Sequence, residues 1–104
     1  MNDKRLAQLS QMQAADPDDP FFPYAIAQEY LSGQQLAMAR SQFEALMARF
    51  PDYLPAYYHA GMTIVQLGDA DAAIICLQKG LALATAQGDR KTANEIRELL
   101  EDLE

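Results

Sequence analysis

A period of 34 residues is the feature that most constrains how this chain can fold. When the sequence is shifted by 34 positions, Tyr24 falls on Tyr58, and small residues fall on small residues. Such a period is typical of folds built from stacked helical units, each of which buries its apolar face only against its neighbours. The other matched pairs are Ile26 with Ala60, Ala27 with Gly61, Tyr30 with Ile64, Ala39 with Ala73, Phe43 with Leu77 and Leu46 with Gly80.

Each period divides into two predicted helices separated by residues that end helices. Gly33-Gln34-Gln35 and Gly68-Asp69 are the breaks within the units, because glycine accepts the left-handed or open backbone found there. Pro51 ends the first unit, because proline lacks an amide donor. The predicted helices cover Phe21 to Ser32, Leu36 to Arg49, Ala56 to Leu67 and Ala70 to Ala84.

Both ends of the chain extend this pattern. Pro17 precedes Pro51 by one period, so the helix predicted over Asp3 to Ala15 is interpreted as a half-repeat. A last helix, from about Arg90 to Leu103, has one apolar and one acidic face, as expected of a terminal cap. The predicted organisation is one domain over 1–104, with a half-repeat at 3–15, repeats at 20–53 and 54–87, and a capping helix at 89–103.

The composition agrees with an all-α fold and reduces the classes of partner that the protein is expected to bind. Five glycines, five prolines and few β-branched residues favour helix along most of 104 residues. The formal net charge is −7, and no lysine or arginine occurs over 6–39 or 50–78. Nucleic acid and anionic membranes are therefore not expected as partners.

Cysteine and histidine usage argues against catalysis and metal binding. Cys76 and His59 are each the sole residue of their type, and a thiol near a histidine is more often packed than nucleophilic. The acidic segment 16–20 lacks the glycine and the glutamate of a calcium loop. We expect no enzyme activity, cofactor or metal. The single thiol and the lack of an apolar signal-like stretch lead us to expect a cytoplasmic protein.

These residues resemble the tetratricopeptide repeat family. The resemblance lies in the period, in the pattern Ala27, Tyr30, Ala39, Phe43, Pro51, and in its echo Gly61, Ile64, Ala73, Leu77. Pro23, Leu46 and Thr85 depart from the family pattern. The resemblance implies a right-handed α-α superhelix, whose first helices line a concave face that holds a peptide or helix of a partner.

The resemblance also implies which residues line that groove. Positions 24, 28, 31 and 58, 62, 65 each share one face of a helix. An aromatic and methionine surface suits an apolar or amphipathic ligand, whereas a clamp for an acidic tail would need fixed positive charge at these places. The alternative is that the stripe is core or lies under the last helix. The predicted groove residues are Phe21, Tyr24, Gln28, Leu31, Tyr58, His59, Met62 and Val65, and the family pattern places Pro55 on the same face.

Three basic residues near the C-terminus are interpreted as solvated surface charges and not as ligand contacts. Arg90, Lys91 and Arg97 could touch an acidic ligand, but Lys91 and Glu95 have the i,i+4 spacing of a surface pair.

The leading hypothesis is an adaptor that binds another protein or peptide. The alternatives are a homodimer formed through the same apolar surface, and an accessory subunit that is stable only beside a larger partner.

Overall fold

Six helices joined by short turns make up residues 2–104, the part of the chain that the computed structural model describes. Helices α1, α5 and α6 begin at side-chain caps: Asn2, Asp69 and Asp89 each accept a hydrogen bond from a backbone amide of the first turn. The helices are α1 (Asp3–Ala15), α2 (Phe21–Ser32), α3 (Leu36–Arg49), α4 (Leu54–Gln66), α5 (Ala70–Gln87) and α6 (Arg90–Leu103).

Two helices differ from the bounds that the sequence predicts. Helix α4 begins at Leu54 and not at Ala56, because Pro55 is tolerated in a first turn, where its missing amide has no intrahelical partner. Helix α5 continues past Ala84 to Gln87 and ends at Gly88, whose φ of 73° is left-handed. It is thereby four residues longer than α3, which explains why α6 does not keep the 34-residue register.

The turn between α2 and α3 contradicts the role predicted for Gly33. Gly33 has φ −91°, and the left-handed position is taken by Gln34, at φ 60°. Gly68, in the turn between α4 and α5, does have the expected positive φ, at 84°. The two turns thus differ in which residue bears the unfavourable backbone conformation.

Each helix packs on the one that follows it, and α4 also touches α6. Small residues permit the close approach within the hairpins, since Ala27 and Ala39 in one hairpin and Ala73 in the next are fully buried. Phe43 and Leu77 fill the space beside them and are also fully buried. The core therefore consists of adjoining clusters of buried residues, which share partly buried side chains such as Tyr30 and Leu103.

Polar contacts link consecutive units at the surface. Arg40 pairs with Asp69 at 3.3 Å, and Arg49 pairs with Asp18 at 3.0 Å. The Tyr57 hydroxyl donates to the carbonyl oxygen of Pro51 at 2.7 Å, which ties α4 to the turn before it. Exposed ion pairs contribute at most about 1 kcal/mol each, so burial along the stack dominates stability.

The last helix covers the end of the stack. Ala93, Ile96 and Leu100 are buried, and Ile96 and Leu100 pack with Leu77 of α5. Glu98 and Glu101 are exposed on the other face, as expected for a one-sided helix. Over residues 2–104, no helix is both long and apolar enough to cross a membrane.

Candidate functional site: the groove face

Helices α2, α4 and α6 meet on one side of the stack. Tyr24 of α2 and His59 of α4 contact each other edge to face, with ring centroids 5.6 Å apart. Helices α4 and α6 touch directly. We call the side shared by these three helices the groove face.

Four rings form a chain of edge contacts across the groove face, which we call the aromatic run. Tyr53 contacts Tyr24 at 5.5 Å between centroids, Tyr24 contacts His59, and His59 contacts Tyr58 at 5.3 Å. All four side chains are half-buried. Phe43, fully buried, lies nearly parallel to the His59 ring at 6.4 Å and forms the floor. Edge-to-face contacts of this kind hold each ring in a defined orientation.

A hydrogen bond orients the polar end of the run. The Gln28 side-chain amide donates to the Tyr24 hydroxyl at 2.8 Å, one helical turn away. Both residues are half-buried. The phenol therefore keeps its own proton as a donor for another group.

The remaining predicted groove residues have other surroundings. Leu31 and Val65 are half-buried and pack against the central core, so much of their surface is structural. Phe21 is 49% exposed and contacts Phe22 edge to face. Met62 is half-buried. The structure thus brings Tyr24, Gln28, Tyr58 and His59 into one contiguous group, and Phe21 makes no ring contact with it among residues 2–104.

A cleft of about 420 Å³ continues the aromatic run toward the last helix. We call it the α4–α6 cleft. Tyr58 bridges its two sides, because it belongs to α4 and packs with the apolar cluster that includes Ile96 and Leu100. The residues lining the cleft are Asp52, Tyr53, Leu54, Pro55, Tyr58, His59, Gln87, Asp89, Thr92 and Glu95.

Burial sets the protonation of the rings beside the cleft. Desolvation lowers the pKa of His59 below its ordinary value of 6.5, and the nearby Glu95 carboxylate offsets part of that effect. Burial also raises the pKa of Tyr53. His59 and Tyr53 are therefore uncharged at neutral pH. Asp89 differs, because hydrogen bonds donated by Thr92 lower the pKa of its carboxyl group.

Cys76 lies away from the aromatic run. Its thiol is buried and donates to the Tyr57 carbonyl oxygen at 3.6 Å, and burial raises its pKa to about 11. A thiol with that pKa is protonated at neutral pH and is a poor nucleophile. Throughout residues 2–104, no group of three or more His, Cys, Asp or Glu residues is placed to hold a metal ion.

Comparison with known proteins places this arrangement in a family. No protein-family model and no curated protein matches the chain. Solved structures do match. The solution structure of a tetratricopeptide repeat domain protein from Salinibacter ruber is 36% identical, with a TM-score of 0.79 over 86% of this chain and 90% of that one. A crystal structure of a tetratricopeptide repeat domain protein from the same organism is 34% identical, with a TM-score of 0.78 over 82% and 96%.

This chain belongs to the tetratricopeptide repeat family. The family prediction and the all-α superhelical fold are thus confirmed. A protein from Bordetella parapertussis is 26% identical, with a TM-score of 0.81 over 94% of this chain and 85% of that one. PcrH, solved in complex with the chaperone binding region of PopD, shares the fold at 20% identity, with a TM-score of 0.87 over 97% and 77%.

The sequence pattern of this tetratricopeptide repeat protein does not place two further residues, Tyr53 and Glu95, beside the groove. Tyr53 lies in the turn after Pro51, outside the helical stripes, and only its position next to a helix start signals it. Glu95 is predicted to pair with Lys91, but no ion pair joins them in the described chain. Glu95 instead lines the α4–α6 cleft. Its position in the sequence beside the buried Ile96 is the signal that it borders the core side of α6.

Proposed function

We propose that this tetratricopeptide repeat protein is a non-enzymatic adaptor of the cytoplasm that binds an apolar or amphipathic segment of another polypeptide on its groove face. The observation that carries the proposal is the aromatic run, a set of half-exposed rings held in fixed orientations by one another. Tyrosine offers large contact area at low entropic cost and keeps a polar tip for hydrogen bonds.

The fold and the charge of the groove support this class of ligand. PcrH shares the fold and is seen with a polypeptide segment of PopD bound to it. In this chain the predicted groove positions contain no lysine or arginine. An acidic tail would therefore find no charged partner there, whereas an apolar side chain would gain from burial against the rings.

Removing Tyr24 and Tyr58 together is a poor test of groove binding. Tyr24 contacts the buried Phe43, and Tyr58 packs with Ile96 and Leu100. The double alanine variant would lose core contacts as well as groove surface. A substitution that changes polarity at constant volume separates the two effects.

Met62→Gln is such a substitution, and Met38→Gln is its matched control. Met62 is half-buried on α4, whereas Met38 is 45% exposed on α3, which is not part of the groove face. We would select ligands from a phage-displayed library of random dodecapeptides and measure Kd of the enriched peptides by calorimetry. Met62→Gln should weaken binding about fivefold or more, and Met38→Gln should leave it within twofold.

Equal binding by both variants would place the ligand elsewhere and contradict the groove proposal. Failure of any peptide to enrich would contradict peptide binding itself. Self-association through the same face is the competing function, because Phe21 adds an exposed ring at the edge of α2. Light scattering after size exclusion separates the two, since an adaptor with a free groove elutes as a monomer at all concentrations.

A further inference from the structure

We infer that the α4–α6 cleft holds the side chain of an arginine or lysine of the bound segment. The inference rests on the proposed function and adds a chemical specificity to it. The cleft adjoins the aromatic run through Tyr53, Tyr58 and His59, which line both. A peptide that lies along the rings therefore passes its mouth.

The charged side chains that line the cleft are all acidic, and the nearest basic charge recorded beside them is Lys91, which helps to lower the pKa of Asp89. Three of its lining residues, Asp52, Asp89 and Glu95, carry carboxyl groups, and over residues 2–104 no lysine or arginine lines it. Glu95 is half-buried and is in no ion pair of the described chain. Such a carboxylate, partly removed from water beside apolar walls, interacts more strongly with a cation than an exposed one does.

The walls suit the long stem and the charged head of a basic side chain. Leu54 and Pro55 supply apolar surface for methylene groups. Tyr53 and Tyr58 line the same cleft, and aromatic rings attract cations through their electron-rich faces. The volume of about 420 Å³ lies within the roughly 300–1,000 Å³ of known ligand pockets, so one side chain fits with bridging water.

Other occupants fit the same cleft less well. An apolar side chain would bury the Glu95 carboxylate without giving it a partner, which costs binding free energy. An acidic side chain would face like charge from three carboxyl groups. Of the three kinds of side chain, only a basic one interacts favourably with both the carboxyl groups and the aromatic rings of the cleft.

The test removes one charge from the peptide and one charge from the protein, separately and together, and compares the changes in affinity. The probes are the dodecapeptides enriched from the random phage library, made synthetically with arginine or with citrulline, which keeps the shape but not the charge. The variant is Glu95→Gln, chosen because Asp89 caps α6 and its removal would disturb the helix. The matched control is Glu98→Gln, the same change at an exposed position of the same helix.

We expect enriched peptides to share a basic residue beside apolar ones. Replacing that arginine by citrulline should weaken binding to the native protein about tenfold, but at most about twofold in Glu95→Gln. Glu98→Gln should behave like the native protein. Thermal unfolding of each variant checks that it is folded.

The outcomes separate the two proposals. Peptides that bind on the aromatic run without a shared basic residue, or whose affinity is the same with citrulline, overturn the cleft inference and leave the groove proposal standing. An equal citrulline effect in Glu95→Gln and in the native protein also overturns it. Absence of any enriched peptide overturns both proposals.

Discussion

Gly61 of α4 lies directly against the side chain of Leu77 on α5. A β-carbon added to residue 61 would stand 2.6 Å from Leu77 Cγ, closer than carbon atoms approach in folded proteins. Leu77 is fully buried, so it has no open space into which to retreat. This contact sets how closely the two helices of the second hairpin approach.

Gly61→Ala should therefore destabilise the protein, although alanine is the better helix former. Overpacking costs about 1–3 kcal/mol and improved helix propensity returns about 1 kcal/mol, so a net loss of up to about 2 kcal/mol is expected. Urea unfolding followed by far-UV circular dichroism measures it. In a Leu77→Ala background the same change should be neutral or stabilising. An equal loss in both backgrounds would mean that Leu77 is not the cause.

The left-handed residues of two turns predict opposite effects of glycine. Gln34→Gly should stabilise the fold by roughly 0.5 kcal/mol, because glycine adopts the φ of 60° without steric cost but loses more entropy on folding. Gly68→Ala should destabilise it by about 1 kcal/mol, and no atom beyond residue 68 and its two chain neighbours lies within 4 Å of the added carbon, so the effect is confined to the local backbone. Melting temperatures of the two variants test the pair. Two shifts of the same sign would refute the backbone argument.

The pKa of His59 predicts a stability change between neutral and mildly acidic pH. Because burial lowers the pKa of His59 in the folded state, the unfolded chain binds the proton more readily. The contribution of neutral His59 to the free energy of unfolding is therefore complete above the ordinary pKa of 6.5. It is lost as the pH falls from 6.5 through the pKa of His59 in the folded protein. The groups facing the ring are Tyr24, Phe43, Tyr58 and Glu95.

Two measurements check the histidine prediction. The imidazole proton signals of the sole histidine should titrate with a midpoint below 6.5 in the folded protein. A His59→Gln variant should lose less stability than the native protein between pH 7.5 and 5.5, because both retain the same carboxyl groups. A midpoint above 6.5 would show that Glu95 outweighs burial.

Cys76 should react slowly with thiol reagents while the protein is folded. Raising its pKa from 9.0 to about 11 lowers the thiolate fraction at pH 8 by about 100-fold, and burial slows access further. A chromogenic disulfide reagent at pH 8 measures the rate. The matched control is Ile75→Cys in a Cys76→Ala background, since residue 75 is 56% exposed on the same helix. Equal rates for the two proteins would contradict a buried, protonated thiol.

Much of the fold is predictable from the sequence because small residues and breaks recur at a fixed spacing. Ala27, Ala39 and Ala73 are identified as helix contacts by their period alone, and the structure buries all three completely. The length of α5 is not predictable in this way. Residues 85–87 contain neither proline nor glycine, so nothing in them marks the end of a helix. Gly88 is the first residue that indicates where α5 ends.

The site is less predictable than the fold because it depends on contacts between units. The pattern places Tyr24 and Tyr58 on equivalent helical faces, yet the ring joining them is His59, one position out of the stripe. Leu31 and Val65 have the spacing of groove residues but pack on the core. The spacing of residues determines on which face of its helix a side chain lies. Its exposure to solvent depends on how much of that face the neighbouring helix covers.

The packing of each helix on its immediate successor has a kinetic consequence. Most contacts join residues close in sequence, so little chain must be looped before native interactions form, and folding should be complete within milliseconds. Helix α1 packs mainly on α2, chiefly through Leu9 beside Ala25 and Ile26. Its amide protons should exchange with solvent well before those of α4, because a helix with one main packing neighbour can detach while helices packed on several others remain in place.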